Sequence, residues 1–195
     1  MRTRNERSKL FKALDLGCGA GRNGIPIAAA MKDKACTVIC VDLLDSAIAK
    51  VEQYGKQFEV AHLIKTIKSD IEHFAIGSQE YDLIVAVSAL EHVSSEDALK
   101  KTLGLMASGT AAGGTNCIVI NSNISEIDLR TQLPMEPMFE VNLSTEAMYE
   151  LLDSNYAGWD VRMKLAKPLA FEIERDDRPV LLTSDCITYV AQRRD

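Results

Sequence analysis

Ala13-Leu14-Asp15-Leu16-Gly17-Cys18-Gly19-Ala20-Gly21-Arg22-Asn23 is the stretch that decides the fold. The apolar run Phe11–Leu16 is β-compatible and stops at Gly17. Three glycines follow at alternate positions, and the alanine-rich segment Arg22–Met31 then reads as a helix. Glycine has no Cβ, so the chain can turn tightly there and a ligand can come close to the backbone. A helix start adds unpaired N–H groups and partial positive charge. Strand, glycine loop and helix together make a cradle for a small polar ligand.

Spacing weakens one other glycine-rich reading and rules out a second. A dinucleotide-type G-x-G-x-x-G would put its third glycine at position 22, which is Arg22, and a phosphate-binding P-loop would need Lys-Ser or Lys-Thr after Gly21. The acids along the chain point elsewhere. Thr37–Val41 is β-branched and ends at Asp42, 21 residues after Gly21, the place from which a carboxylate reaches the hydroxyls of a ribose. Leu63–Lys68 reads as a third strand and leads to Asp70, with Ile71 beside it, where an adenine would lie. Acids at successive strand ends suit a ligand with a ribose and a cationic centre better than one with a pyrophosphate.

The surrounding pattern is α/β. Asp45–Gln57 has helical spacing, Tyr81–Val87 is a buried strand, and Ser94-Ser95-Glu96-Asp97 caps a helix to about Met106. Gly109–Gly114 is a break before the strand Thr115–Ile120. Residues 11–120 thus read βαβαβ–β–αβ, a mostly parallel sheet with helices on both faces. The last third changes character. Ser125–Leu143 is expected to be a long loop in which Met135, Met138 and Phe139 either line a substrate mouth or close the core. Ser144 caps a helix through Leu152. Gly158–Lys164 and Thr183–Gln192, with a turn at Asp176-Asp177-Arg178-Pro179, predict a C-terminal antiparallel hairpin on the sheet edge.

Leu14-Asp15-Leu16-Gly17-Cys18-Gly19-Ala20-Gly21, Val41-Asp42, Lys68-Ser69-Asp70-Ile71, Tyr81-Asp82-Leu83-Ile84 with Leu90-Glu91-His92-Val93, and Gly113-Gly114 occur in the order of the motifs of class I S-adenosylmethionine (SAM)-dependent methyltransferases. The chain resembles that family over about residues 11–121. More loosely, it resembles the tellurite-resistance methyltransferases through Gly21-Arg22-Asn23, Asn116-Cys117-Ile118-Val119, the proline–phenylalanine loop and Tyr156-Ala157-Gly158-Trp159. The resemblance implies a Rossmann-like single domain over 1–195. Its cofactor half is about 11–121, and a substrate loop and hairpin occupy about 122–195. SAM is the implied cofactor, held by Asp15, Gly17, Cys18, Gly19, Gly21, Arg22, Asn23, Asp42, Leu43, Asp70, Ile71 and Val87. Family members carry a His-Arg pair before the last strand. Here Glu174-Arg175 stands there, so the arginine is retained as the implied binder of an anionic acceptor.

His92, at the mouth of the expected crevice, is the candidate general base. His62 and His73 read as surface residues. A chalcogen oxyanion carries its own lone pair and needs no base. An O- or N-methyltransferase using His92 is the alternative, and a non-catalytic SAM-binding module is the reading from another class. Composition narrows the partners. The 195 residues are 47% hydrophobic and 26% charged, as in ordinary globular proteins, with net charge −6. That balance disfavours sequence-independent nucleic-acid binding and leaves a small-molecule acceptor as the expected partner. The longest apolar run, Ile25–Met31, is far too short for a membrane span. Met1–Lys12 has no apolar core of a secretory signal, so a cytoplasmic location is expected. Five cysteines without a C-x-x-C predict neither a disulfide framework nor a metal site.

Overall fold

The computed structural model describes residues 10–195, and the charged stretch at 1–9 lies outside the described residues. In chain order the elements are β1 (Phe11–Leu16), α1 (Gly24–Ala30), β2 (Cys36–Asp42), α2 (Asp45–Gln57), β3 (Ile64–Lys68), β4 (Tyr81–Val87), α3 (Glu96–Gly109), β5 (Thr110–Asp128), β6 (Pro134–Met135), α4 (Thr145–Asn155), β7 (Asp160–Arg175) and β8 (Arg178–Gln192). The sheet order is β3-β2-β1-β4-β5-β8-β7, and β6 pairs with β5. Strands β1 to β5 are parallel, while β8 runs antiparallel to β5 and to β7. This is the Rossmann-like methyltransferase fold with a C-terminal antiparallel hairpin.

Strand alternation builds a core on each face. Ala13, Val38 and Cys40 face Ile25 and Ala28 of α1 and Val51 of α2. Their neighbours Leu14, Leu16, Val41 and Ile84 face the other way, onto Leu99 and Leu103 of α3 and Leu152 of α4. Side chains on a strand have period two, so a single apolar run supplies both layers. The chain moves outward from β1 to β3 and then crosses back to β4 on the other side of β1. The carboxyl ends of β1 and β4 thus form the point where the strand order reverses, and ligands of open α/β sheets bind in the crevice there.

Several boundaries differ from the sequence reading. Helix α1 starts at Gly24, because Arg22 and Asn23 complete the loop. Pro26 sits in its first turn, where its missing N–H costs nothing. The break at Gly109–Gly114 is a bulge within β5: Tyr81 pairs with Thr110 and Leu83 with Thr115, and Gly113 has φ +71°. Strand β5 then runs on to Asp128, so the loop expected from Ser125 begins later. Strands β7 and β8 are also longer than expected, and β8 pairs along late β5 with Ser125 opposite Thr183 and Asp128 opposite Val180. Pro168 argues against a strand in sequence, but β7 is the sheet edge, where proline is tolerated.

The hairpin turns on Asp176 and Asp177, with φ of 52° and 59° between the paired Arg175 and Arg178. Two left-handed residues in a two-residue loop match the right-handed twist of the strands. Asp177→Gly removes the cost of a side chain at that φ. It should stabilise the protein by about 0.5–1 kcal/mol in urea unfolding, with the unfolding slope unchanged.

Candidate active site

The glycine loop is held at both ends by strand-end carboxylates. Asp15, fully buried at the end of β1, accepts the Gly24 N–H at 2.8 Å through Oδ2. Asp42, at the end of β2, accepts the Gly19 N–H at 2.8 Å through Oδ2 and the Leu44 N–H at 3.0 Å through Oδ1. The Gly17 and Cys18 amides donate to the Val41 carbonyl at 2.9 and 3.0 Å. Each glycine has a separate steric reason. At Gly17 (φ +68°) a Cβ would lie 2.3 Å from the Ala89 Cβ. At Gly24 it would lie 2.5 Å from the Cys40 Sγ. At Gly19 (φ +51°) it would meet nothing within 4 Å. Gly19 therefore turns a bare, positively curved backbone toward open space at the mouth of the crevice. Cys18 is buried beside it as a small side chain, and Gly21 (φ +84°) is buried against Ile25 and Val51.

The crevice brings together most of the expected cofactor residues. In register, Leu16 lies opposite Val41 and Ala86, and Asp42 opposite Lys68. Asp42 and Val87 thus end their strands, and Gly17 and Asp70 stand just beyond the ends of theirs. Asp70 Oδ1 accepts the Glu72 N–H at 2.9 Å, and its side chain stays 42% exposed. Ile71 packs against the core and Leu43 is exposed. Arg22 is exposed and Asn23 half-buried. Asp15 lies beneath the loop, and its second oxygen is buried without a partner. Burial pushes its carboxyl up from 3.8 to about 6, against the opposing effect of the Gly24 hydrogen bond.

The expected catalytic residues are placed differently. Arg175 is not a free cation. It pairs with Glu126, which is 2% exposed, and donates to the Glu136 carbonyl at 3.0 Å. It joins the hairpin to β5 and to the loop before α4. The pair and the Glu136 carbonyl engage Nη1, while Nε is buried without a hydrogen-bond partner. His92 is half-exposed; its Nδ1 lies 3.2 Å from Glu140 and its ring stacks on Phe139 at 5.0 Å. Both contacts lie on the loop before α4, which is further held by the Val141 amide donating to the Glu91 carbonyl at 3.0 Å. His62 and His73 are exposed, as expected.

Sequence reasoning missed a buried polar chain beside the crevice. Glu91 is fully buried; its Oε1 accepts from Asn121 Nδ2 at 2.7 Å, and Oε2 has no partner. Burial raises its carboxyl above the ordinary range. Asn121 Oδ1 in turn accepts from the Ser184 hydroxyl at 3.1 Å. The acid was visible as half of Glu91-His92, but its partners come from β5 and β8. Ser88, where β4 leaves the sheet, holds φ +49°, a conformation uncommon for a residue with a side chain and frequent at functional sites. A concavity of about 530 Å³ lies between α1 and α2, lined by Gly21, Arg22, Ile25, Pro26, Tyr54 and Phe58. It is chiefly a carbon surface and offers no carboxylate to a ribose.

Comparison with known proteins agrees with this geometry. Residues 13–114 match the family described as "Methyltransferase domain". The ubiquinone biosynthesis O-methyltransferase of Rickettsia akari (strain Hartford) is 30% identical over 91 residues, 47% of this chain and 34% of that protein. The chain thus spans about a third of the length of the curated relatives it matches. TehB from Haemophilus influenzae shares the fold with TM-score 0.70 and 19% identity, over 96% of this chain and 59% of that one. The N-methyltransferase NodS from Bradyrhizobium japonicum, solved with S-adenosylhomocysteine, aligns with TM-score 0.59 and 17% identity over 95% of this chain and 79% of its own. The fold and the strand-end crevice are those of the methyltransferases it matches. The chain belongs to the methyltransferase-domain family, with SAM as cofactor.

The open face of Gly19, the positive φ of the loop and the acids at the ends of β2 and β3 suit that cofactor: a side-chain-free turn for a close backbone approach, carboxylates for hydroxyls and a cationic group. Asp15 gives the loop a pH signature. Its raised value means folding favours the protonated carboxyl, so its contribution is full below about pH 4 and is lost as pH rises through about 6. The stability difference between the protein and Asp15→Asn should shift by about 2–3 kcal/mol between pH 4 and pH 7, in favour of the variant at the higher pH. Urea titrations across that range check it.

Proposed function

We propose that the protein transfers the methyl group of SAM to a small-molecule acceptor entering between the end of β4, the loop before α4 and the C-terminal hairpin. The observation that carries this reading is the face of Gly19, where a loop held by two carboxylates fronts open space with no side chain in the way. Gly17, Cys18, Gly19 and Gly21 would supply the loop that meets the cofactor. Asp42 and Leu43 would lie at its ribose, and Asp70, Ile71 and Val87 around its adenine. Asp15, Arg22 and Asn23 would support the loop and the start of α1. Bound SAM supplies a methyl group already activated by a sulfonium, so the chain's own task is positioning, which is worth up to about 7–11 kcal/mol when geometry is ideal.

The finer identity of the acceptor divides two readings. A tellurite- or selenite-type oxyanion needs a cation, and Arg175 is engaged by Glu126. His92, engaged by Glu140 and Phe139, fits the role of fastening the loop over the mouth better than that of a base. These placements favour an uncharged organic acceptor. A net charge of −6 supports a small molecule over a nucleic acid, and five free cysteines suit the reducing cytoplasm.

Calorimetric SAM titration, followed by an S-adenosylhomocysteine assay with an acceptor panel, tests the proposal. The protein should bind SAM and form S-adenosylhomocysteine. Gly19→Ala should bind SAM at least tenfold more weakly while losing only about 1–2 kcal/mol of stability. Gly17→Ala, which collides with Ala89, should lose roughly 3 kcal/mol or more. Unchanged SAM affinity in Gly19→Ala would remove the loop from the site. SAM binding without turnover of any acceptor would favour the regulatory module.

A further inference from the structure

A second concavity lies beneath the hairpin at the exit of β4. It encloses about 200 Å³ and has two unlike sides. Phe139, Leu169, Phe171 and Leu182 form a carbon wall. Ser88, Asn121, Ser184 and Cys186 form a polar edge, and no lysine or arginine lines it. Its place is set by the sheet: Ser88 is the first residue after Val87, whose strand ends at the cofactor crevice, and its amide donates to Val119 of β5 at 2.9 Å.

The direction of the hydrogen bonds at the polar edge is fixed. Glu91 carries acceptors on Oε1, so Asn121 turns its amide nitrogen to it at 2.7 Å. That leaves Asn121 Oδ1 toward Ser184, whose hydroxyl proton is spent on it at 3.1 Å. The Ser184 oxygen therefore keeps only lone pairs for a ligand. Ser184 thus offers an acceptor to an X–H group, and no cation on this edge offsets the charge of an oxyanion. Size sets the other limit, since a dry cavity of about 150 Å³ lined by aliphatic and aromatic carbon holds benzene. A single ring fits 200 Å³ and a fused polycycle does not.

We infer that this cavity is the methyl-acceptor site, and that it takes an uncharged single-ring phenol or thiophenol whose O–H or S–H donates to Ser184. This rests on the methyl-transfer reading above and adds the acceptor class to it. In the transfer, the acceptor's lone pair forms the X–CH₃ bond. The S–CH₃ bond of SAM breaks with its electron pair left on sulfur, giving S-adenosylhomocysteine, and the X–H proton is released to water. Glu91 is a positioning residue: it orients Asn121, which orients Ser184.

The experiment offers the SAM-bound protein 4-methylphenol, 4-methylbenzenethiol, selenite and tellurite, measures S-adenosylhomocysteine and methylated product, and titrates SAM separately. The ring compounds should turn over and the oxyanions should not. Leu182→Trp, which fills the cavity, should lower kcat/KM for the rings at least a hundredfold with SAM affinity unchanged. Ser184→Ala, which keeps the volume, should lower it about tenfold, as expected for one lost hydrogen bond. Turnover of selenite or tellurite with no turnover of the rings overturns the inference, as does ring turnover that neither variant alters, or no ring turnover while SAM binds. Absence of SAM binding in the unsubstituted protein instead removes the underlying methyl-transfer reading.

Discussion

Two carboxylates on neighbouring strand ends hold one loop, and the rest of the site depends on them. Asp42 takes the amide of Gly19, and Asp15 takes the amide of Gly24, five residues on. Between these points the chain makes left-handed turns that only glycine adopts cheaply. The anchors consume the amides of Gly19 and Gly24 and leave the side-chain-free face of Gly19 turned outward. Asp15 does this from full burial, at the cost of a carboxyl whose charged form the fold disfavours. Such a conflict between a local group and its surroundings is what functional sites show.

A second set of charges organises the acceptor side. Glu126 is buried in β5 and would be costly alone; Arg175 neutralises it from β7 and reaches on to the Glu136 carbonyl. Arg130 donates to the Asp177 carbonyl at 3.0 Å, joining the same loop to the hairpin tip. The loop before α4 is thus pinned by the hairpin at one end and by Glu91 and His92 at the other. Breaking the buried pair by removing one partner typically costs about 3–5 kcal/mol, so the arginine belongs to the architecture of the mouth.

The cofactor half was largely legible in the sequence. Its strands are short apolar runs buried on both faces, its helices have clear spacing, and its glycines and acids lie within local turns. Phe11–Leu16, Asp45–Gln57 and Tyr81–Val87 stand at the expected boundaries. The C-terminal part was less legible, for reasons that can be named. The inward positions of late β5 are Ser122, Ile124, Glu126 and Asp128, so a true strand period carries polar residues and reads as loop. Pro168 hides the middle of β7. The partner of Arg175 lies 49 residues away, and no local pattern announces a pair of that kind. The chain Glu91–Asn121–Ser184 likewise exists only once β8 has paired with β5.

The central claim is that the carboxylate-held loop and the adjoining strand ends receive SAM, with the reacting end directed toward the cavity under the hairpin. A crystal structure of the protein with S-adenosylhomocysteine tests it most directly. The account predicts the ribose at Asp42, the ligand crossing the open face of Gly19, and the sulfur facing Ser88. A ligand seated instead in the groove between α1 and α2, against Tyr54 and Phe58, would contradict it.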